Sequence, residues 1–101
     1  MSYQQLDEIL SNKARLGIMT MLITLGKHGE LDFNFIKDKL KLTDGNMASH
    51  IKKLYEAGYV NISKTNIGGK SRTTYTLSEK GEAAFNTHAD AVRRVISGEL
   101  Y

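Results

Sequence analysis

The sequence predicts a mainly α-helical fold carrying one small β-hairpin, and three observations predict it. Apolar residues recur at helical spacing through most of the chain, as at Met47, Ile51 and Leu54. One stretch, Tyr59 to Leu77, instead gathers β-branched and aromatic residues on both sides of Gly68-Gly69. Proline is absent, so no helix is broken or kinked by it.

Taken in order, a short first helix places Leu6, Ile9 and Leu10 on one face, with Tyr3 nearby. Ser11 is placed to cap the next helix, from about Asn12 to Leu25, and Gly26 stops it. There Leu16, Ile18, Met19, Met21, Leu22, Ile23 and Leu25 cover nearly the whole circumference. A helix apolar on most sides is buried on most sides, which makes this the central helix. Glu30-Leu31 can form a very short strand, and Asp32 then caps a third helix with Phe33, Ile36 and Leu40 at helical spacing.

The turn Lys41-Leu42-Thr43 leads to a fourth helix, capped by Thr43 and closed by Gly58. Two helices joined so tightly read as a helix-turn-helix over about residues 32–58. A hairpin over about 59–77 follows, and Ser78 caps a last helix over about 78–100. That helix carries Phe85, Ala89, Val92 and Ile96 on one stripe. About 20 residues of helix span about 30 Å, as much as the small domain it leaves, so the stripe lacks a partner within one chain. The first helix has the same difficulty. Both ends therefore predict a homodimer built on Leu6, Ile9, Leu10, Phe85, Ala89, Val92 and Ile96.

With 101 residues, 41% of them hydrophobic, the chain reads as a single folded domain over 1–101. Cysteine is absent, which excludes disulfide frameworks and thiolate metal sites and fits a cytoplasmic location. Asp7 and Glu8 interrupt the first residues, against a signal peptide, and no apolar run is long enough for a membrane span.

Charge is unevenly distributed. Lys37, Lys39, Lys41, Lys52, Lys53, Lys64, Lys70 and Arg72 face only Asp38, Asp44 and Glu56 in the same window, a net +5. The total is +3, so the remainder carries −2. Such asymmetry points to a face for a polyanion; a lysine-rich solvated surface explains the charge alone equally well.

What the fourth helix exposes decides more. With Met47, Ile51 and Leu54 inward, Ser49, Lys52, Lys53 and Glu56 turn outward, with Asn46 and His50 on the flank. Asn46 and Ser49 lie in the N-terminal half, where a recognition helix meets base edges, and asparagine can bond adenine bidentately. Lys52 and Lys53 lie further along and suit phosphates. Behind this helix, Lys64, Lys70 and Arg72 surround a flexible Gly-Gly tip that can lie along the backbone or enter a narrow minor groove. An edge hairpin guarded by lysines would explain the tip but not the helix beside it.

Other chemistry lacks its constellation. Gly69-Lys70-Ser71 resembles the end of a phosphate-binding loop, but the required first glycine falls at Lys64 and a strand follows instead of a helix. His28, His50 and His88 lie on three different elements without metal-ligand spacing, so no metal or other cofactor is expected. His28 reads as a loop residue, His50 as a helix-flank contact and His88 as packing of the last helix. No nucleophile elbow or paired carboxylates point to an enzyme.

The run Leu42 to Val60, Leu-Thr-Asp-Gly-Asn-Met-Ala-Ser-His-Ile-Lys-Lys-Leu-Tyr-Glu-Ala-Gly-Tyr-Val, resembles the recognition helix of prokaryotic winged helix-turn-helix regulators. Together with Arg72 to Gly81, and with Arg15-Leu16-Gly17-Ile18-Met19 at the start of the central helix, it is similar to small DNA-binding proteins of the MarR and ArsR types. The resemblance spans nearly the whole chain. It implies a winged helix-turn-helix with N- and C-terminal dimerisation helices, acting as a homodimeric transcriptional regulator on a pseudo-palindromic duplex operator. Carried over, Asn46, Ser49, His50, Lys52 and Lys53 become helix contacts, and Lys70 with Arg72 the wing contact. Ser71 stands where many relatives have a proline, which loosens the wing. The cysteine pairs or Asp/His sets of ArsR-type metal sensing are absent.

The reading is thus a DNA-binding transcription regulator, a repressor by steric blockage, with room for an effector whose identity the sequence does not give. Its rival is a winged-helix protein-interaction module in a transcription or chromosome complex, which would show no salt-dependent duplex binding.

Overall fold

The computed structural model describes residues 3–26 and 29–99; His28 lies outside them. In chain order the elements are α1 (Lys13–Leu25), β1 (Glu30–Asp32), α2 (Phe33–Leu40), α3 (Asp44–Glu56), β2 (Val60–Ile67), β3 (Lys70–Leu77) and α4 (Glu79–Ile96). The three strands form one antiparallel sheet in the order β1-β3-β2. The fold class is therefore the expected one, mainly α-helical with a small sheet, built here on four α-helices instead of five, and the very short first strand pairs with the far side of the hairpin.

Helix ends follow local chemistry. Asp32, Thr43 and Ser78 each accept a backbone N–H in the first turn of α2, α3 and α4, as expected of caps. α1 differs: its cap is Asn12, whose side chain accepts from Arg15 N at 3.0 Å. Ser11 is drawn away, donating its hydroxyl to the Asp7 carbonyl at 2.6 Å. At the end of α3, Gly58 takes φ 80° and donates to Tyr55 O, while Tyr59 N donates to Leu54 O. This paired closure reverses the chain out of the helix straight into the hairpin.

Inside, Ile18, Met19 and Leu22 of α1 meet Ile36 of α2, Met47, Ile51 and Leu54 of α3, and Val60, Tyr75 and Leu77 of the sheet. Each such side chain withdrawn from water contributes roughly 1.5–3 kcal/mol. α1 is less enclosed than its composition predicts. Leu25 is 49% exposed, and Leu16 and Met21 are half-buried along an open groove beside Leu40. The buried row Ile18, Met19 and Leu22 takes the packing of α2, α3 and the sheet, and the opposite side of α1 stays open.

The predicted first helix does not form. Tyr3–Gln5 makes a single 3-10 turn, and residues 8–12 are turns and a bend. Asp7 explains this: its Oδ1 accepts from Ile9 N at 2.8 Å and Leu10 N at 3.2 Å, competing with a helical hydrogen-bond pattern. Its backbone N–H donates to His88 Nδ1 at 2.9 Å, and its Oδ2 accepts from the Tyr59 hydroxyl. One residue thus straps the N-terminal segment to α4 and to the root of the hairpin. Leu10 is consequently fully buried and has no surface to offer a second copy, which corrects its assignment to a dimer interface.

α4 also sits differently from the expected stripe. Its buried residues are Gly81, His88 and Ala91, so the core-facing side lies beside the Phe85–Ile96 row. Phe85 still packs against the core and Val92 is half-buried, whereas Ala89 is exposed and Ile96 is 77% exposed. His88 packs as expected, and burial holds it below the usual histidine pKa against the opposing charge of Asp7.

Candidate nucleic-acid interface

α3 presents its outer face because Met47, Ile51 and Leu54 fill the core. Asn46, Ser49, Lys52 and Lys53 are all exposed, in the order the sequence predicts: short polar groups first, lysines one turn later. The helix is held at both ends. At its start Lys37 Nζ reaches back from α2 to Asp44 Oδ1 at 2.7 Å, and this pairing raises the Lys37 pKa. The connecting turn passes through Lys41 in the left-handed region, φ 55°, with Leu42 N donating to Lys37 O at 3.0 Å.

His50 is the site residue whose surroundings the sequence did not show. Its Nδ1 faces inward, 3.2 Å from Nη1 of Arg15 on α1. Burial, then the charges of Arg15 and Lys53, hold His50 below its ordinary pKa. Arg15 is itself nearly buried and donates through Nε to the Ile9 carbonyl at 2.6 Å. A signal for Arg15 existed: a cation inside an otherwise apolar helix is kept only where partners meet it.

The hairpin is ruled by its register. Ile67 pairs with Lys70, leaving Gly68 and Gly69 as a two-residue loop with φ of 59° and 80°. Positive φ at both loop positions matches the right-handed twist of the strands and suits glycine. Lys64 pairs with Thr73 and shares a face with Ile62 and Tyr75; Arg72 pairs with Thr65 and shares the opposite face with Lys70.

The three cations expected around one tip are therefore split. Lys64 joins Lys52 at the edge of a crevice of about 370 Å³ floored by Phe33, Ile51, Tyr55 and Tyr75. Arg72 turns instead toward the start of α2, where its Nε lies 3.8 Å from Asp32 Oδ2, beside Asn34. That pair is half-exposed and long, so it orients Arg72 more than it neutralises it. Among the described residues Lys52, Lys53, Lys64 and Lys70 have no carboxylate within 4.0 Å, so four cations remain open to an external anion. The described residues contain no group of three or more metal-ligating side chains, and no described helix is long and apolar enough to cross a membrane.

A family model for the winged helix DNA-binding domain matches residues 14–96. An uncharacterized protein of Methanocaldococcus jannaschii is 37% identical over 81 residues, covering 80% of this chain and 85% of that protein. The structure of a transcriptional regulator homologue from Pyrococcus horikoshii superposes with a TM-score of 0.80 at 33% identity, covering 91% of this chain and 88% of that one. PadR of Bacillus subtilis, solved in complex with operator DNA, shares the fold with a TM-score of 0.62 at 21% identity, covering 74% of this chain and 45% of its own.

Proposed function

The chain belongs to the winged helix DNA-binding family, and from that premise we propose that it is a sequence-specific transcriptional regulator of the cytoplasm that binds duplex DNA as a homodimer. The observation that carries this reading is one face on which α3 exposes Asn46 and Ser49 ahead of the unpaired Lys52 and Lys53, flanked by a hairpin with unpaired Lys64 and Lys70. Short polar side chains at the start of a helix can reach base edges in the major groove. The lysines, with Arg72, answer phosphates on either side. His50 joins the helix contacts through the ring edge that Arg15 leaves free.

Two such faces are held together by the terminal elements. Ala89, Val92 and Ile96 of α4, with the margin of Phe85, form the row that a second copy covers, and Leu6 and Ile9 flank it as half-buried residues of the N-terminal strap. A two-fold dimer sets half-sites about 34–36 Å apart on a pseudo-palindrome. Occupying a promoter in this way excludes polymerase, so repression is the proposed direction.

Fluorescence anisotropy on duplex DNA from the gene's own upstream region, at two salt concentrations, tests the reading. Binding that weakens steeply with salt is expected. Absence of binding to that duplex and to random duplex at low salt would overturn it in favour of a protein-interaction module.

A further inference from the structure

We propose that Arg15 is a positioning residue for sequence reading: it fixes His50 as the Nε2–H tautomer and presents that N–H to a hydrogen-bond acceptor on a base edge. The proposal rests on the reading of α3 as the helix that enters the major groove, and it adds a residue that touches no DNA.

A guanidinium has five N–H donors, no acceptor, and stays protonated at any relevant pH. Its Nη1 lies 3.2 Å from His50 Nδ1, so that nitrogen must offer its lone pair. In a neutral imidazole the proton then resides on Nε2. Arg15 is not free to turn away, because its Nε is committed to the Ile9 carbonyl at 2.6 Å and its side chain is almost wholly enclosed. The ring is thereby fixed in tautomer and in orientation from the core outward.

The other edge of the ring is open. Among the described residues His50 Nε2 makes no hydrogen bond, and no buried side-chain nitrogen or oxygen lacks a partner. Nε2 therefore faces solvent on the helix that also exposes Asn46 and Lys53, four residues before it and three after, which places the three on one row. Burial, and then two cations, Arg15 from α1 and Lys53 on α3 itself, favour the neutral form of the ring. A neutral ring with a fixed N–H is a directional donor, and purine N7, guanine O6 and thymine O4 are the acceptors that the major groove offers it. A phosphate oxygen is the same chemistry without sequence information, and the measurement must separate the two.

Two readouts do so on the full chain. Nitrogen-15 NMR of the free protein reports the tautomer directly: a protonated Nε2 and an unprotonated Nδ1 on His50 are expected, and the reverse assignment overturns the proposal. Binding is then measured on a duplex recovered from a random pool by in vitro selection and on a shuffled duplex of the same composition. His50→Ala is expected to lower the ratio of the two affinities roughly tenfold. Arg15→Met should lower it by a similar factor, the double variant no further, and Arg15→Lys, which keeps a donor, should recover part. An Arg15→Met protein that keeps the full ratio, or a His50→Ala protein that weakens both duplexes equally, overturns sequence reading through this pair. If Arg15→Met fails to fold, Arg15→Lys and the tautomer of the unaltered protein decide. If the chain binds no duplex at all, the functional reading fails, while the tautomer still judges the role of Arg15.

Discussion

Gly81, in the first turn of α4, lies so close to Tyr59 that a methyl group at its Cα would overlap the Tyr59 carbonyl oxygen and come within 2.8 Å of the carbonyl carbon. The contact is backbone against backbone, so neither side can rotate away. The same junction is tied by Ser78, whose N–H donates to Tyr59 O at 3.1 Å and whose hydroxyl donates to Gly58 O at 2.6 Å. It ties the start of α4 to the end of α3, hence the proposed dimer-forming helix to the proposed reading helix. Gly81→Ala is expected to destabilise the fold by about 3 kcal/mol or more, although alanine is the better helix former by roughly 1 kcal/mol. Thermal denaturation of the variant checks this.

Lys41 gives the opposite expectation. It ends α2 at φ 55° with a side chain, in the region where L-residues pay about 1–2 kcal/mol that glycine does not. Lys41→Gly should therefore stabilise by about 0.5–1 kcal/mol after the larger unfolded-state entropy of glycine is subtracted. Urea denaturation with an unchanged slope would show it, and a loss of stability would mean that the Lys41 side chain is holding the turn.

How much of this was legible in the sequence depends on how local each cause is. Caps at Asp32, Thr43 and Ser78, the stop at Gly58 and the inward row Met47, Ile51, Leu54 each follow from residues within a turn or two of one another. The exposed order of Asn46, Ser49, Lys52 and Lys53 follows from that row by helical geometry alone. What escaped is held by side-chain bonds between distant positions. Asp7 meets His88 across 81 residues and Tyr59 across 52, and Arg15 meets His50 across 35. No periodicity encodes such pairs. Asp7 accordingly turned an expected helix into a strap and an expected interface residue, Leu10, into core. The division of Lys64 from Arg72 needed the register of the hairpin, which a Gly-Gly tip suggests but the pairing fixes.

Stability should decline on the acid side of neutrality for a specific reason. His50 and His88 both have folded pKa values below the ordinary 6.5, chiefly through burial. Between their folded values and 6.5 the unfolded chain binds more protons, so stability rises with pH through that window and falls as pH is lowered through it. At the alkaline end Tyr59 is pushed up to about 12 by burial and by Asp7, so the unfolded chain loses its tyrosine proton first. Stability then falls as pH rises from about 10 to about 12. Denaturation midpoints across pH test both limbs; Tyr59→Phe should flatten the alkaline limb and His88→Gln part of the acid one.

Binding to DNA should separate cations from readers. Lys53→Ala and Arg72→Ala are expected to weaken binding to all duplexes alike and to reduce the slope of log affinity against log salt by about 0.9 for each phosphate that is no longer neutralised. Asn46→Ala should instead cost about 1–3 kcal/mol on the preferred site and little on random DNA. Equal weakening of both duplexes by Asn46→Ala would move that residue from reading bases to holding phosphates.

Ile96 and Ile67 make a matched pair for testing dimerisation. Both are exposed isoleucines, 77% and 64%, but Ile96 lies on the outer row of α4 and Ile67 at the hairpin tip. If the α4 row joins two chains, a charge at 96 is buried without a partner at the junction and separates them. Sedimentation velocity should then show Ile96→Glu as a monomer and Ile67→Glu still as a dimer. DNA binding supplies the second arm. Two linked half-sites gain roughly 100-fold or more over one through effective concentration, so Ile96→Glu should lose that factor on a two-half-site duplex and almost nothing on a single half-site. A monomeric wild-type chain, or a dimer untouched by Ile96→Glu, would place the junction elsewhere and leave the α4 row without that role.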